Sequence, residues 1–416
     1  MRIFKFGGAS VKDAEGVRNV VTVLQKTGYE NTVVVVSAMG KTTNAMEKVV
    51  NAYFQDKSQM DAAIQEVVAY HKAILHALFE PKNHDIHHIV NRLIEEFKGF
   101  LIWNKSPKYA FVYDQVVGYG ELISTAIISH YLNDAGLKNQ WIDVRELIKT
   151  NRSYRDAEVD WTLTQQQVKK KIDPQKLNIT QGFLGSDENN FTTTLGREGS
   201  DYTAAILGYC LDVDSVTIWK DVPGVLNADP RHFNTTQKLE QISYREAIEL
   251  AFYGASVIHP KTLQPLQQKE IPLHVKSFLH PEDTGTVVGK GVKIAPEIPC
   301  FIVKKHQVLL QLSSLDFSFI VEDSISAIFK LFHEHRLKVD LIQNSAISFS
   351  VCLDNKFDGL KNLLPILTKR FKVSCQEEVS LFTIRHFNEE AVASLLNGYD
   401  VLVEQRGKET VQLVVK

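Results

Sequence analysis

Long apolar runs are missing from this chain of 416 residues, and none approaches the ~18 residues a membrane span requires. The first strand-like stretch opens at residue 2, leaving no room ahead of it for a signal peptide. The expected place is therefore the cytoplasm. Cysteine is scarce. Cys210, Cys300, Cys352 and Cys375 lie far apart and form no Cys-x-x-Cys pair, which indicates neither a disulfide framework nor a zinc site. They read as small buried hydrophobes. An excess of either charge is also lacking: 47 Lys and Arg stand against 49 Asp and Glu, for a formal net charge of −2. That balance gives no electrostatic case for a nucleic-acid partner or an anionic membrane.

Two nucleotide motifs are incomplete. Gly40-Lys41-Thr42 ends like a P-loop, but the glycine required five residues earlier is Val35. Gly118-Tyr119-Gly120-Glu121-Leu122-Ile123 begins like a dinucleotide fingerprint, yet Ile123 replaces the third glycine, so nicotinamide binding is not expected. His84, His87 and His88 with Asp85 have a spacing that could hold a metal on a helix. They lie in a charged stretch outside every phosphate-like motif, a solvated helix start accounts for them, and no metal ligand is assigned.

What is present suits a globular enzyme. With 44% hydrophobic and 23% charged residues the chain can bury a full core in two or three domains. Its most informative stretch is Thr192-Thr193-Thr194-Leu195-Gly196-Arg197-Glu198-Gly199-Ser200-Asp201, between a strand expected at Leu177 to Phe183 and a helix expected from Asp201. Gly196 and Gly199 permit a tight turn and close approach to a ligand, and the first turn of the helix favours negative charge. Capping of that helix by Ser200 or Asp201 is the plainer alternative. At the start of the chain, Arg2 to Phe6 alternates as a strand, Gly7-Gly8-Ala9-Ser10 follows, and Asp13 to Lys26 is amphipathic. Lys5 thus falls at the carboxyl end of a strand, where open α/β sheets hold their ligands, beside two glycines able to form an anion nest. A purely structural Gly-Gly turn is the alternative there.

Together these stretches resemble the amino-acid kinase superfamily, and within it the aspartate kinases. The resemblance rests on Lys5-Phe6-Gly7-Gly8-Ala9-Ser10, Gly120-Glu121-Leu122, Thr180-Gln181-Gly182-Phe183, the decapeptide, Asp221-Val222-Pro223-Gly224-Val225 with Asp229-Pro230-Arg231, and Ile258-His259-Pro260, all in family order over residues 5 to 290. It implies an α/β/α sandwich over residues 1–290, with a helix-rich insertion at about 50–135, then a Gly/Pro-rich linker. Short β and α elements over residues 300–416 fit two successive ferredoxin-like βαββαβ units of roughly 60 residues each. These resemble paired ACT regulatory domains that bind an amino-acid effector at a dimer interface, with a purely structural dimerisation domain as the alternative.

The implied reaction is transfer of the γ-phosphoryl group of ATP, with Mg2+, to the β-carboxylate of L-aspartate. That carboxylate, with a reference pKa of about 3.9, needs no general base, so charge control should dominate. By the resemblance, Lys5 and Asp201 are catalytic; Thr43, Glu121, Arg197 and Ser200 bind aspartate; and Lys5, Gly7, Gly8, Ser10, Lys220, Asp221 and Arg231 contact the nucleotide. Arg197 would grip the α-carboxylate and Glu121 the α-ammonium. Many relatives carry a phosphate-facing lysine where this chain has Ser256, and Lys220 or Lys261 is the expected substitute. Asp340, Asn344 and Ser345 match the effector loop of lysine-sensitive relatives, but the usual acidic residue after that serine is Ala346, and the loop 313–319 holds no glycine. Weak or absent inhibition by lysine and a homodimer through the C-terminal units are expected, with threonine a possible effector. A monofunctional aspartate kinase leads; a glutamate-type kinase and a catalytically inactive amino-acid sensor remain as alternatives.

Overall fold

The stretch TVVVV at Thr32–Val36 has almost no polar side to offer water, and the fold buries both of its faces. The computed structural model describes residues 1–79, 84–255, 258–396 and 398–416. They divide into two compact units. The first comprises Met1–Val225, Lys238–Ile248 and a run ending at Ile294; the second comprises Leu226–Gln237, a short run opening at Glu249, and Ala295–Lys416.

In chain order the residues up to Gly289 run β1 (Arg2–Phe6), α1 (Ala14–Thr27), β2 (Thr32–Val36), α2 (Thr42–Gln55), α3 (Met60–Leu78), α4 (Asp85–Trp103), α5 (Tyr109–Val117), α6 (Tyr119–Asp134), β3 (Asn139–Ile142), α7 (Trp161–Lys171), β4 (Leu177–Gln181), β5 (Leu184–Ser186), β6 (Thr192–Thr194), α8 (Gly199–Leu211), β7 (Ser215–Lys220), β8 (Gln241–Ser243), α9 (Tyr244–Tyr253), α10 (Pro260–Gln268), β9 (Leu273–Ser277) and β10 (Thr286–Gly289). The main sheet has the order β3-β4-β2-β1-β7-β9-β10-β8. It is parallel from β3 to β9, and only the β9/β10 pair runs antiparallel. In the centre, Lys5 stands opposite Val35 on one side and Ile218 on the other. Alternation then divides the core. Phe4, Phe6, Val34, Val36 and Trp219 pack with Val17, Val20 and Leu24 of α1 and with α6, while α8 packs on β1 and β7 alongside α7 and α10.

The local signals explain most boundaries. Asp13 accepts from Gly16 N at 2.8 Å and caps α1. Two boundaries differ from expectation: the strand expected to reach Phe183 ends at Gln181, and the helix expected from Asp201 opens at Gly199. His84 accepts from Ile86 N, caps α4 and reaches Asp134 at 3.0 Å. Among the described residues no group of His, Cys, Asp or Glu is placed to hold a metal ion.

The second unit continues with β11 (Cys300–Ser314), α11 (Glu322–Glu334), β12 (Lys338–Asn344), β13 (Ser348–Asp354), α12 (Gly359–Leu367), β14 (Phe371–Arg385), α13 (Glu389–Leu396), β15 (Val401–Arg406) and β16 (Thr410–Val415). Its antiparallel sheet has the order β12-β13-β11-β14-β16-β15. The stretches expected as separate strands at Lys372–Glu377 and Ser380–His386 are one strand, β14, which runs on through Glu378 at φ 58°. The register of β11 against β14 shifts between Lys304 and Leu309, around His306 at φ 57°, as β-bulges allow. The two ferredoxin-like halves are therefore not laid end to end. Cys300–Lys304 pairs with Leu381–Arg385, and Phe301 and Val303 pack with Phe382, Ile384 and Val392 of the second half.

Trp219 is 1% exposed, edge-on to Phe4 at 5.5 Å and stacked on Phe6 at 6.1 Å. Trp219→Ala should cost about 3–5 kcal/mol of unfolding free energy, measured by urea denaturation. A loss under about 1 kcal/mol would show that the strands close without it.

Candidate active site

The loops leaving β1 and β2 meet at glycines. A Cβ on Gly8 would lie 2.8 Å from both Ala38 O and Gly40 O, and Gly40 N donates to Gly8 O at 3.0 Å. No larger residue fits that approach. Gly7 borders Lys5, whose Nζ would stand 3.2 Å from a Cβ there. Ser10, in contrast, turns inward and donates to Trp219 O at 3.3 Å.

Across from these loops, Gly196 at φ 79° makes the turn before α8, and a Cβ on it would come within 2.5 Å of Asp156 Oδ1. The N-cap of α8 is Glu198, with φ 54° and no side-chain capping bond. Ser200 and Asp201 therefore lie inside the first turn rather than capping it, and the positive end of the helix dipole carries no side-chain cap. The side chain of Asp201, 4% exposed, receives Lys5 Nζ at 2.6 Å and Lys220 Nζ at 3.6 Å. Burial pushes the Asp201 carboxyl up, but the two ammonium groups outweigh it and hold the pKa below the usual carboxylate value.

These groups border a cavity of about 590 Å³. Of the expected site residues, Lys5, Gly8, Ser200, Asp201 and Lys220 line it, and so do Thr43, Glu121 and Arg197. Asp221 is exposed and does not line it. Arg231 belongs to the second unit, where its guanidinium clasps Asp229 at 2.6 Å. Lys261 is ion-paired with Asp156, and Ser256 lies outside the described residues. In the second unit, Asp340 already receives Lys304 at 2.8 Å and Lys338 at 3.5 Å. Asn344 is exposed, and the Ser345 hydroxyl pairs with that of Ser348 at 2.6 Å.

Glu121 and Glu198 each bring a buried carboxyl oxygen without a hydrogen-bond partner to the cavity, and Glu121 is the more deeply buried. It sits in the first turn of α6, 2% exposed, and its Oε2 has no hydrogen-bond partner. Burial pushes its carboxyl up to about 8. A buried carboxyl of this kind calls for a cationic ligand. Three residues not singled out from the sequence also shape the site. Tyr113 and Arg155 line the cavity, and Asp114 accepts from Thr194 N and Oγ1, both at 2.8 Å, and from Arg155 N at 3.0 Å. Burial raises the Asp114 carboxyl to about 7 despite those donors. Its one sequence signal was a carboxylate within the largely apolar FVYDQVV of α5.

The amino acid kinase family model matches residues 1–277. Lysine-sensitive aspartokinase 3 of Escherichia coli is 33% identical over 85% of this chain and 78% of its own length. Chloroplastic aspartokinase 1 of Arabidopsis thaliana is 31% identical over 85% of this chain, which spans 63% of that protein. The crystal structure of E. coli aspartokinase III in complex with lysine and aspartate superposes with a TM-score of 0.84 at 29% identity, covering 100% of this chain and 96% of that one.

The raised Glu121 carboxyl has a pH consequence. Up to about pH 8 the folded protein keeps a proton that the unfolded chain, ionising near the ordinary 4.5, gives up. Stability from this group therefore falls as pH rises from about 4.5 to about 8, by at most ~1.4 kcal/mol per unit. Glu121→Gln should remove that slope, so urea unfolding without ligand should show the variant gaining on the wild type between about pH 5 and 8. A constant difference would mean that Glu121 is ionised in the empty site.

Proposed function

The chain belongs to the amino acid kinase family, as one of its aspartokinases, and from that premise we propose that it transfers the γ-phosphoryl group of ATP to the β-carboxylate of L-aspartate, giving 4-phospho-L-aspartate. The observation that carries this reading is the pairing of opposite needs in one cavity: the Lys5–Asp201–Lys220 cluster suits a polyanion, and the Glu121 carboxyl, whose Oε2 has no hydrogen-bond partner, suits an ammonium. A nucleoside triphosphate answers the first need and an amino acid the second.

The residues take roles accordingly. Lys5, held by Asp201, neutralises charge on the phosphoryl group in transit, and Lys220 adds a second cation where Ser256 leaves none. Gly7 and Gly8 keep the backbone close to the phosphates. Arg197, exposed and without an ion pair among the described residues, grips the α-carboxylate; Glu121 receives the α-ammonium; Thr43 and Ser200 add hydroxyl contacts. The acceptor carboxylate is ionised at neutral pH, so no side chain has to remove a proton, and catalysis rests on placement and charge. The donor set fits a nucleotide triphosphate. Mg2+ bound to the phosphates would supply further neutralisation, and since Asp201 is committed to two lysines, no protein ligand for it is assigned.

In this proposal residues 1–290 are catalytic and residues 300–416 regulatory, assembling a homodimer in the cytoplasm. Among the described residues no helix is long and apolar enough to cross a membrane. An E. coli structure holds lysine and aspartate together, but here Lys304 already satisfies Asp340 and residue 346 is alanine. Inhibition by lysine is accordingly weak or absent.

Trapping the acyl phosphate with hydroxylamine tests the reaction: hydroxamate should form with ATP and aspartate and not with glutamate, and product from glutamate alone would overturn the assignment. Lys5→Ala should lower kcat about 100- to 1000-fold, the scale of one preorganised donor, and should also cost stability, because it takes the nearer cation from the buried Asp201 carboxylate. Half-inhibition by lysine should need more than about 1 mM, an affinity of about −4 kcal/mol, at sub-saturating aspartate; micromolar inhibition would contradict the reading of Asp340 and Ala346.

A further inference from the structure

Arg155 adopts φ 74°, a left-handed conformation that an arginine side chain disfavours. Such an outlier persists only where surrounding bonds impose it, and it is worth testing for a role. The bonds are identifiable. Arg155 N donates to both oxygens of Asp114, at 3.2 and 3.0 Å, and the same carboxylate binds Thr194 at the end of β6. Two further ties close this loop against the strand: Ala157 N donates to Thr194 O at 2.9 Å, and the Thr150 and Thr193 hydroxyls meet at 2.7 Å. The loop is thus fastened to the segment that runs on to Arg197.

The side chain of Arg155 is also directed. Its guanidinium lies over Tyr113, 4.4 Å from the ring centroid, and 5.4 Å from that of Tyr109. Its ion pair with Glu47 is loose, at 3.5 Å. Stacking on aromatic faces leaves the edge N–H groups of a guanidinium free for planar, two-point contact with a carboxylate. Arg155 and Tyr113 both line the cavity that holds Glu121 and Arg197.

We propose that Arg155 is a second carboxylate-reading residue of the amino-acid site, sharing the acceptor's α-carboxylate with Arg197, and that Asp114 is the positioning residue that sets it there. The inference rests on the aspartate reading of the cavity given above. Two guanidiniums on one carboxylate, opposed by Glu121 for the ammonium, make the site select a free α-amino acid over a neutral derivative of it.

The test compares L-aspartate with its α-amide, which keeps the ammonium and the β-carboxylate but removes the α-carboxylate charge. Arg155→Gly is the informative variant, because φ 74° suits glycine and the variant should fold at least as well as the wild type. It should raise the aspartate KM about tenfold or more, the scale of a charged hydrogen bond. It should also shrink the ratio of kcat/KM for aspartate over the α-amide by a similar factor, with the ATP KM unchanged. Arg155→Lys should recover part of that ratio. Asp114→Asn should lower the ratio in the Arg155→Gly background by little and in the wild type by several-fold, because its effect passes through Arg155. Arg155→Gly with KM and ratio within about twofold of wild type, or with equal losses for ATP and aspartate, would overturn the proposal. Inactivity of the wild type on aspartate would instead sink the underlying function.

Discussion

The contact between Lys5 and Asp201 organises the first unit. A carboxylate this deeply buried is costly unless cations and hydrogen bonds compensate it. Here the compensation comes from two different strands, Lys5 on β1 and Lys220 on β7, converging on the first turn of α8. That convergence requires β1 and β7 to run parallel and in register, so that both lysines emerge at the same edge of the sheet. One carboxylate gathers two ammonium groups beside a helix start without a side-chain cap, a local arrangement suited to an anion.

Glu121 presents the opposite deficit. It is buried with an unpartnered oxygen, and burial raises its carboxyl pKa. Evolved sites commonly hold such strained electrostatics where the ligand supplies the missing partner. Positive and negative deficits within one cavity are what an amino acid phosphorylated by a nucleotide would relieve together. Neither deficit contributes to stability in the absence of ligand.

The second unit follows a different logic. Its two ferredoxin-like halves share a continuous sheet because β11 and β14 each run through a bulge and serve both halves. Within it, Asp340 is satisfied by the chain's own Lys304. An internal cation at that carboxylate removes the electrostatic reason for a free amine to bind there, independently of the residue at 346.

How much of this was legible beforehand follows from the range of each interaction. Lys5, Gly7-Gly8, Gly120-Glu121 and the decapeptide could be read because strand, turn and helix chemistry act over a few consecutive residues, and the residues themselves name their charges. Local pattern also supplied the alternating α/β order, but not the interleaving by which Leu226–Gln237 joins the second unit. Direction and pairing could not be read that way. Whether Ser10 faced phosphate or the core depended on Trp219, 209 residues away; whether Asp340 was open depended on Lys304, 36 residues away. The joining of two expected strands into β14 needed the partner β11, whose bulge absorbs the mismatch. Asp114 and Arg155 acquire meaning only through hydrogen bonds spanning 41 and 80 residues. The chain's local sequence determined which charges and turns exist; tertiary packing decided which of them face each other, because burial turns a charge into either a paired group or a site awaiting a ligand.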